Sequence, residues 1–280
     1  MARLTVDTAE AVLDQPFQVL DKGFVRLVDY LGGDARIVQA ARVSYGDGTK
    51  TVREDAGLID YLMRNWHTSP FEQVVLTFHL KMPVFVARQW LRHRTARLNE
   101  ISGRYSVMQD EFYVPDEQDV RYQSQGNKQG SSGDDVPAHI QQRIAEEFAS
   151  SQTRVYGEYS ELLEGNIARE LARINLPLSL YTEMYWQIDL HNLFHFLRLR
   201  LDDHAQYEIR VYAEVLADIA KAVAPLAYKA FEEHRLNARN VSGGELELLR
   251  ECIDTTKLKS LLEKSDLRPS RQRELLGKLG

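Results

Sequence analysis

The chain has 280 residues, 44% hydrophobic and 27% charged, the balance of a globular protein, which excludes wholesale disorder, collagen and fibre. No apolar run approaches the roughly 20 residues that span a bilayer. The first 14 residues carry Asp7, Glu10 and Asp14 in place of an apolar signal segment, and the single cysteine, Cys252, excludes an internal disulfide framework or a zinc finger. The cytoplasm is the expected compartment. A net charge of −6 argues against nucleic-acid binding through the whole surface.

In chain order, Phe24 to Tyr30 reads as a short strand. Ala35 to Val43 reads as a helix with Asp34 as its N-cap. From Asp55 to Trp66, Leu58, Ile59, Leu62, Met63 and Trp66 recur on one helical face, and Ser69-Pro70 ends the run. Phe71 to Lys81 alternates as a half-buried strand. Pro83 opens a short helix from Val84 to His93, and Thr95 to Gly103 reads as loop. Residues 117–135, rich in Gln, Ser, Gly and Asp, read as a mobile surface insertion. Helix returns over Ala138 to Leu163, closed by Gly165, and again over Ile167 to Asn175 before Pro177. The aromatic content of Ser179 to Ile188 favours a strand. Tyr181, Tyr185 and Trp186 in it belong to core or subunit interface. Leu190 to Leu199 is helical. Asp203 and Gln206 resemble a capping pair for a long helix to about His234, kinked near Pro225. This mixture, without regular βαβ alternation, predicts an α+β fold. After Asn237 the composition shifts to a small amphipathic helical tail, so the expected organisation is a domain over 1–236 and an extension over 237–280.

Between Arg88 and Arg104 lie five arginines against one acid, Glu100. An acidic protein that gathers arginine in this way is holding something anionic, because guanidinium forks bind phosphate or carboxylate bidentately and stay charged. The bland alternative is a solvated basic face. A second alternative comes from His191 and His195, four apart on a helix and followed by Asp202, Asp203 and His204: such a set could hold a metal. Position 192 is Asn, so the Glu of a zinc-protease motif is missing, and no metal is expected. Cys252 lies far from every motif, which speaks against a thiolate nucleophile. Ser102 lacks an adjacent His and Asp, so it suits phosphate binding better than covalent attack.

Arg92-His93-Arg94, seven further residues, then Ser102-Gly103-Arg104-Tyr105 matches the RHR-x7-S signature of the flavin-dependent thymidylate synthases. The whole stretch 89–106, QWLRHRTARLNEISGRYS, resembles that family. So do Ala41-Arg42-Val43-Ser44, His67 to Glu72, Ala172-Arg173-Ile174 with Leu176-Pro177, and Leu199-Arg200 leading into Asp203 to Gln206. The resemblance spans roughly residues 20–236.

It implies a fold of helices on an antiparallel-rich sheet, assembled as a homotetramer. It implies a methyltransferase that makes dTMP from dUMP, with methylenetetrahydrofolate as one-carbon donor and NADPH as reductant through FAD. By resemblance, dUMP contacts fall to Gln89, Trp90, Leu91 and Arg92, and to Glu100, Ile101, Ser102, Gly103, Arg104, Arg173 and Arg200. The stretches 89–92 and 100–104 would come from different subunits. FAD contacts fall to Ser69, Arg92, His93, Arg94, Glu100, Asp189, Leu190, His191 and His195. Arg200 would be catalytic, beside the pyrimidine. His67 would hold the flavin or folate by stacking, or cap the helix before it. Asp189 and His191 depart from the Asn and Arg usual in the family at these positions.

Overall fold

Alternation of buried and half-buried residues builds the central sheet. In β3 (Val75–Pro83) the side chains of Leu76, Phe78, Leu80 and Met82 are buried, while Thr77, His79 and Lys81 face the other way. β7 (Tyr181–Asp189) pairs with it so that Phe78 lies opposite Trp186 and His79 opposite Tyr185. With β1 (Pro16–Val19), β2 (Gly23–Leu31) and β4 (Arg97–Glu100), the order is β1-β2-β3-β7-β4, antiparallel throughout. This computed structural model describes residues 4–43, 52–126 and 130–279; Ser44, part of one family-like stretch, lies outside them.

Helices cover the face that carries Leu27, Phe78 and Trp186. After α1 (Asp7–Glu10), α2 (Asp34–Arg42) and α3 (Val52–Arg64) come α4 (Val84–Trp90), α5 (Ala138–Glu164), the single turn α6 (Arg169–Ala172), α7 (Leu190–Arg200), α8 (Tyr207–Val223) and α9 (Pro225–Phe231). Trp90 of α4, Phe196 of α7 and Tyr212 of α8 meet Trp186 in one aromatic cluster, with ring centroids 4.5–6.1 Å apart. Such clusters combine large buried area with edge-to-face attraction. On the opposite face His79 stacks on Tyr185 at 4.7 Å and bonds Arg26 and Glu183, so that side of the sheet is polar. Trp186 is therefore core and Tyr185 is exposed; Tyr181, on the same face as Tyr185, is buried and donates its hydroxyl to Asp21 at 2.6 Å.

Several local expectations need correction. Asp34 is the first residue of α2, whose N-cap is Gly33; its carboxylate accepts from the N–H groups of Leu226 and Ala227 at 2.8 and 2.9 Å and so caps α9. Residues 71–73 form a 3-10 turn ahead of the strand. Arg97 to Glu100, expected as loop, is an edge strand: all four residues are exposed, so no alternation announces it, and only β7 draws it in. The 117–135 segment carries a hairpin of β5 (Arg121–Gln123) and β6 (Ser131–Asp135), with 127–129 outside the described residues. Gly165 closes α5 as expected, and the left-handed residue there is the next one, Asn166. Asp203 and Gln206 form no cap; α8 ends at Val223, and Pro225 opens a separate helix followed by a π turn over Glu232–Leu236. A proline at the first helical position loses no needed hydrogen bond.

The chain divides into a unit to Leu236 and a second from Asn237. The second consists of three helices, α10 (Gly243–Cys252), α11 (Thr255–Glu263) and α12 (Pro269–Leu279). Ser242 and Glu245 form a reciprocal capping box at α10. Among the described residues no helix is long and apolar enough to cross a membrane.

Candidate active site

The arginine signature is divided between two clefts. α4 ends at Trp90, and the chain turns through Arg92, His93 and Arg94 beside the C-terminal end of β7 and the face of α7 that carries Asn192, His195 and Leu199. These residues, with Thr95, Ile188 and Arg200, line a cleft of about 320 Å³. Residues 192, 195 and 199 recur at helical spacing, which is why α7 offers one continuous wall. Arg88, Arg92 and Arg94 form no ion pair among the described residues. Cations left without a carboxylate are ready for an anionic ligand.

Within this cleft Arg200 is held from two sides. Its Nε donates to His93 Nε2 at 3.1 Å, and Nη2 donates to the carbonyl of Gln89 at 3.4 Å. Gln89 is in turn fixed by Gln206, at 2.5 Å. Because arginine only donates, Nε2 of His93 must be the unprotonated nitrogen, and the neutral ring carries its proton on Nδ1. Burial, then the charges of Arg200 and His195, lower the His93 pKa to about 4. Burial also holds Arg200 below the usual arginine range, but a guanidinium remains charged at neutral pH.

The second half of the signature lies elsewhere on the same chain. Glu100, Ile101 and Gly103 line a cleft of about 350 Å³ with Glu170, Arg173, Ile174 and Thr182, and it shares no residue with the first. Thr182 donates to Glu100 at 2.6 Å, and the Ile101 N–H bonds the carbonyl of Glu183, so β7 sets this wall. A Cβ at Gly103 would stand 2.9 Å from Met108 Sδ and 3.0 Å from Arg173 Cδ; only glycine lets Arg173 come this close. Ser102 Oγ accepts from the Arg104 N–H at 3.3 Å, and Arg104 is engaged by Glu170 at 3.1 Å.

Some expected site residues take structural positions. Trp90 is fully buried in the aromatic cluster and Leu190 in the core, so neither side chain reaches a cleft. Any ligand contact at these positions falls to backbone. Asp189 caps α7, accepting from the Asn192 N–H at 2.9 Å. Ser69 is exposed just before the 3-10 turn that packs on α7, and His67 donates its N–H to the Leu62 carbonyl at the end of α3. Leu91 is exposed, and His191 lies half-buried on α7. His204 pairs with Asp202 at 2.8 Å, and no cluster of three potential metal ligands occurs among the described residues. Thr95, Asn192 and Leu199 of the first cleft, and Glu170 of the second, were given no ligand role from sequence, although Thr95 and Leu199 lie in family-like stretches; the helical spacing 192/195/199 was the available signal.

Residues 26–226 match the family model described as thymidylate synthase complementing protein. A flavin-dependent thymidylate synthase of Treponema denticola is 66% identical over 241 residues, 86% of this chain and 91% of that one. One from Thermus thermophilus is 56% identical, over 93% of this chain and 94% of its own. Among solved structures, a UMP/dUMP methylase, PolB, from Streptomyces cacaoi bound with 5-Br dUMP is similar, with a TM-score of 0.72 at 33% identity, covering 79% of this chain and 99% of that one. With identity this high along most of its length, and Arg92, His93 and Arg94 of the signature drawn up along one cleft, the chain belongs to the family of flavin-dependent thymidylate synthases.

Proposed function

We propose that this protein makes dTMP from dUMP by reductive methylation in the cytoplasm, with FAD, NADPH and methylenetetrahydrofolate, as a homotetramer. The observation that carries the reading is the division of one signature between two clefts. Arg92, His93, Arg94, His195 and Arg200 would serve one half of a site, and Glu100 to Arg104 with Arg173 the other half, on a neighbouring subunit. Residues 1–236 carry this chemistry and 237–280 form an extension.

The first cleft suits an anionic, planar cofactor: Arg92 and Arg94 form no ion pair among the described residues, His93 is neutral, and Ile188 and Leu199 supply apolar wall. Bound FAD would supply hydride delivered by NADPH. The protein's own part is electrostatic. With Nε and Nη2 of Arg200 engaged, its Nη1 hydrogens remain for the uracil N3/O4 edge, where a guanidinium stabilises negative charge and eases N3 deprotonation. The neutral His93 holds that guanidinium without cancelling its charge. Arg173 and the Ser102-Gly103 turn suit the nucleotide phosphate.

The test is the visible spectrum of the purified protein before and after NADPH with dUMP present, followed by a dTMP assay. A yellow protein whose flavin bands bleach with reductant, and whose Arg200→Ala variant keeps the flavin but makes no dTMP, is the expected result. A colourless protein that FAD does not reconstitute, or full activity in Arg200→Ala, overturns the assignment.

A further inference from the structure

Helix α3 ends in a turn in which the N–H groups of Trp66 and His67 bond back to the carbonyls of Met63 and Leu62. Trp66 holds the left-handed position, with φ +61°. Glycine is favoured there, since a Cβ collides with the neighbouring carbonyl. Tryptophan accepts that strain without the compensation of burial, for its side chain is 61% exposed. One face of the indole is covered by Arg235, whose guanidinium carbon lies 3.2 Å from the ring centroid and which also donates to the Met63 carbonyl. Burial, then the positive charge of Arg198 on α7, holds Arg235 below the usual arginine range. Neither arginine forms an ion pair among the described residues.

Arg235, held on the ring without an ion pair among the described residues, offers an anion its guanidinium, and the positive charge of Arg198 on α7 adds to the field there. The exposed indole adds a stacking surface for a planar heterocycle. The pair of features describes a phosphorylated aromatic nucleotide. Its place relates it to the flavin: Arg198 follows His195 by three residues, so the two are neighbours on α7, and His195 lines the first cleft. The arginines inside the cleft are available to whatever is held there, whereas this patch is open, as a ligand that arrives and leaves in each turnover requires.

We propose that Trp66, Arg198 and Arg235 dock the adenine nucleotide end of NADPH, the indole stacking on the purine and the guanidiniums taking a phosphate. The site rests on the proposed function, in which NADPH reduces the flavin.

Trp66→Gly supplies the residue the turn favours while removing the stacking surface, so a folding defect and a binding defect separate. The expected result, in the holoenzyme, is a KM for NADPH about tenfold higher in Trp66→Gly and in Arg198→Gln. Flavin per chain and dUMP affinity stay at wild-type values, and the melting temperature of Trp66→Gly does not fall. Unchanged KM in both variants beside a wild type that NADPH bleaches overturns the site alone. Loss of flavin from either variant overturns it too, by assigning the patch to FAD. A wild type that NADPH does not bleach overturns the function and the site together.

Discussion

His93 accepts a hydrogen bond from a residue that can only donate, and that contact ties its protonation to the fold. Its pKa is lowered to about 4 by burial and then by Arg200 and His195, against 6.5 for an ordinary histidine. Between these values the unfolded chain binds a proton that the folded chain refuses, so this residue's contribution is intact above pH 6.5 and is lost as pH falls toward 4. Carboxylates titrate in the same window, so the informative comparison is with His93→Gln, whose side-chain oxygen can still accept from Arg200 but cannot ionise. Acidification from pH 6.5 to about 4 is expected to lower the melting temperature of the wild type more than that of the variant; parallel curves would mean that His93 is not protected from protonation. At this scale the arginines were legible because guanidinium chemistry follows from residue type. The Arg200–His93 contact was not, since it joins positions 107 apart. Trp90 and Leu190 were assigned to ligands by their place in motifs, yet large apolar side chains beside a core go into it.

Elements were legible where burial on one side imposes a period. β2, β3, β7 and α7 follow their patterns because each has one face against the aromatic core. β4 and β5 lack such a face, and their strand character comes from a partner distant or unremarkable in sequence. Asp34 shows the same limit for a cap: the residue type was right, but the helix it caps begins at Pro225. The docking of α8 on the sheet exposes a tighter requirement at the start of β2. Tyr212 Oη donates to the Lys81 carbonyl at 2.7 Å, and a Cβ at Gly23 would lie 1.9 Å from that hydroxyl and 2.7 and 2.8 Å from the carbonyl oxygens of Val19 and Lys81. Two of these three atoms are backbone and cannot swing aside. Gly23→Ala is therefore expected to cost about 2–4 kcal/mol by forcing α8 and the strands apart, seen as a lower midpoint in urea. A midpoint within error of wild type would show that the strands yield without cost.

At the scale of the whole molecule, the two clefts of one chain become one site only if a second chain brings its Arg173 cleft to the first chain's Arg200 cleft. Both halves of the signature lie within 18 residues, 89–106; the family resemblance implied that they serve different subunits, but no pattern in the residues showed that the edge strand β4 would run between them. That separation has a genetic consequence. Take two variants, Arg200→Ala and Arg173→Ala, each inactive alone. If every site draws Arg200 from one subunit and Arg173 from another, co-expression produces sites that receive both lesions, one lesion, or none. Half of the chains retain each arginine, so random assembly leaves about a quarter of the sites intact. Activity near a quarter of wild type from the mixture, with none from either variant by itself, is the expected outcome. If each chain instead builds its own site, every site in the mixture carries one lesion, and the mixture stays as inactive as its components. Diluting the mixed assembly until it dissociates should then abolish the recovered activity, because a subunit alone keeps its Arg200 and Arg173 in separate clefts.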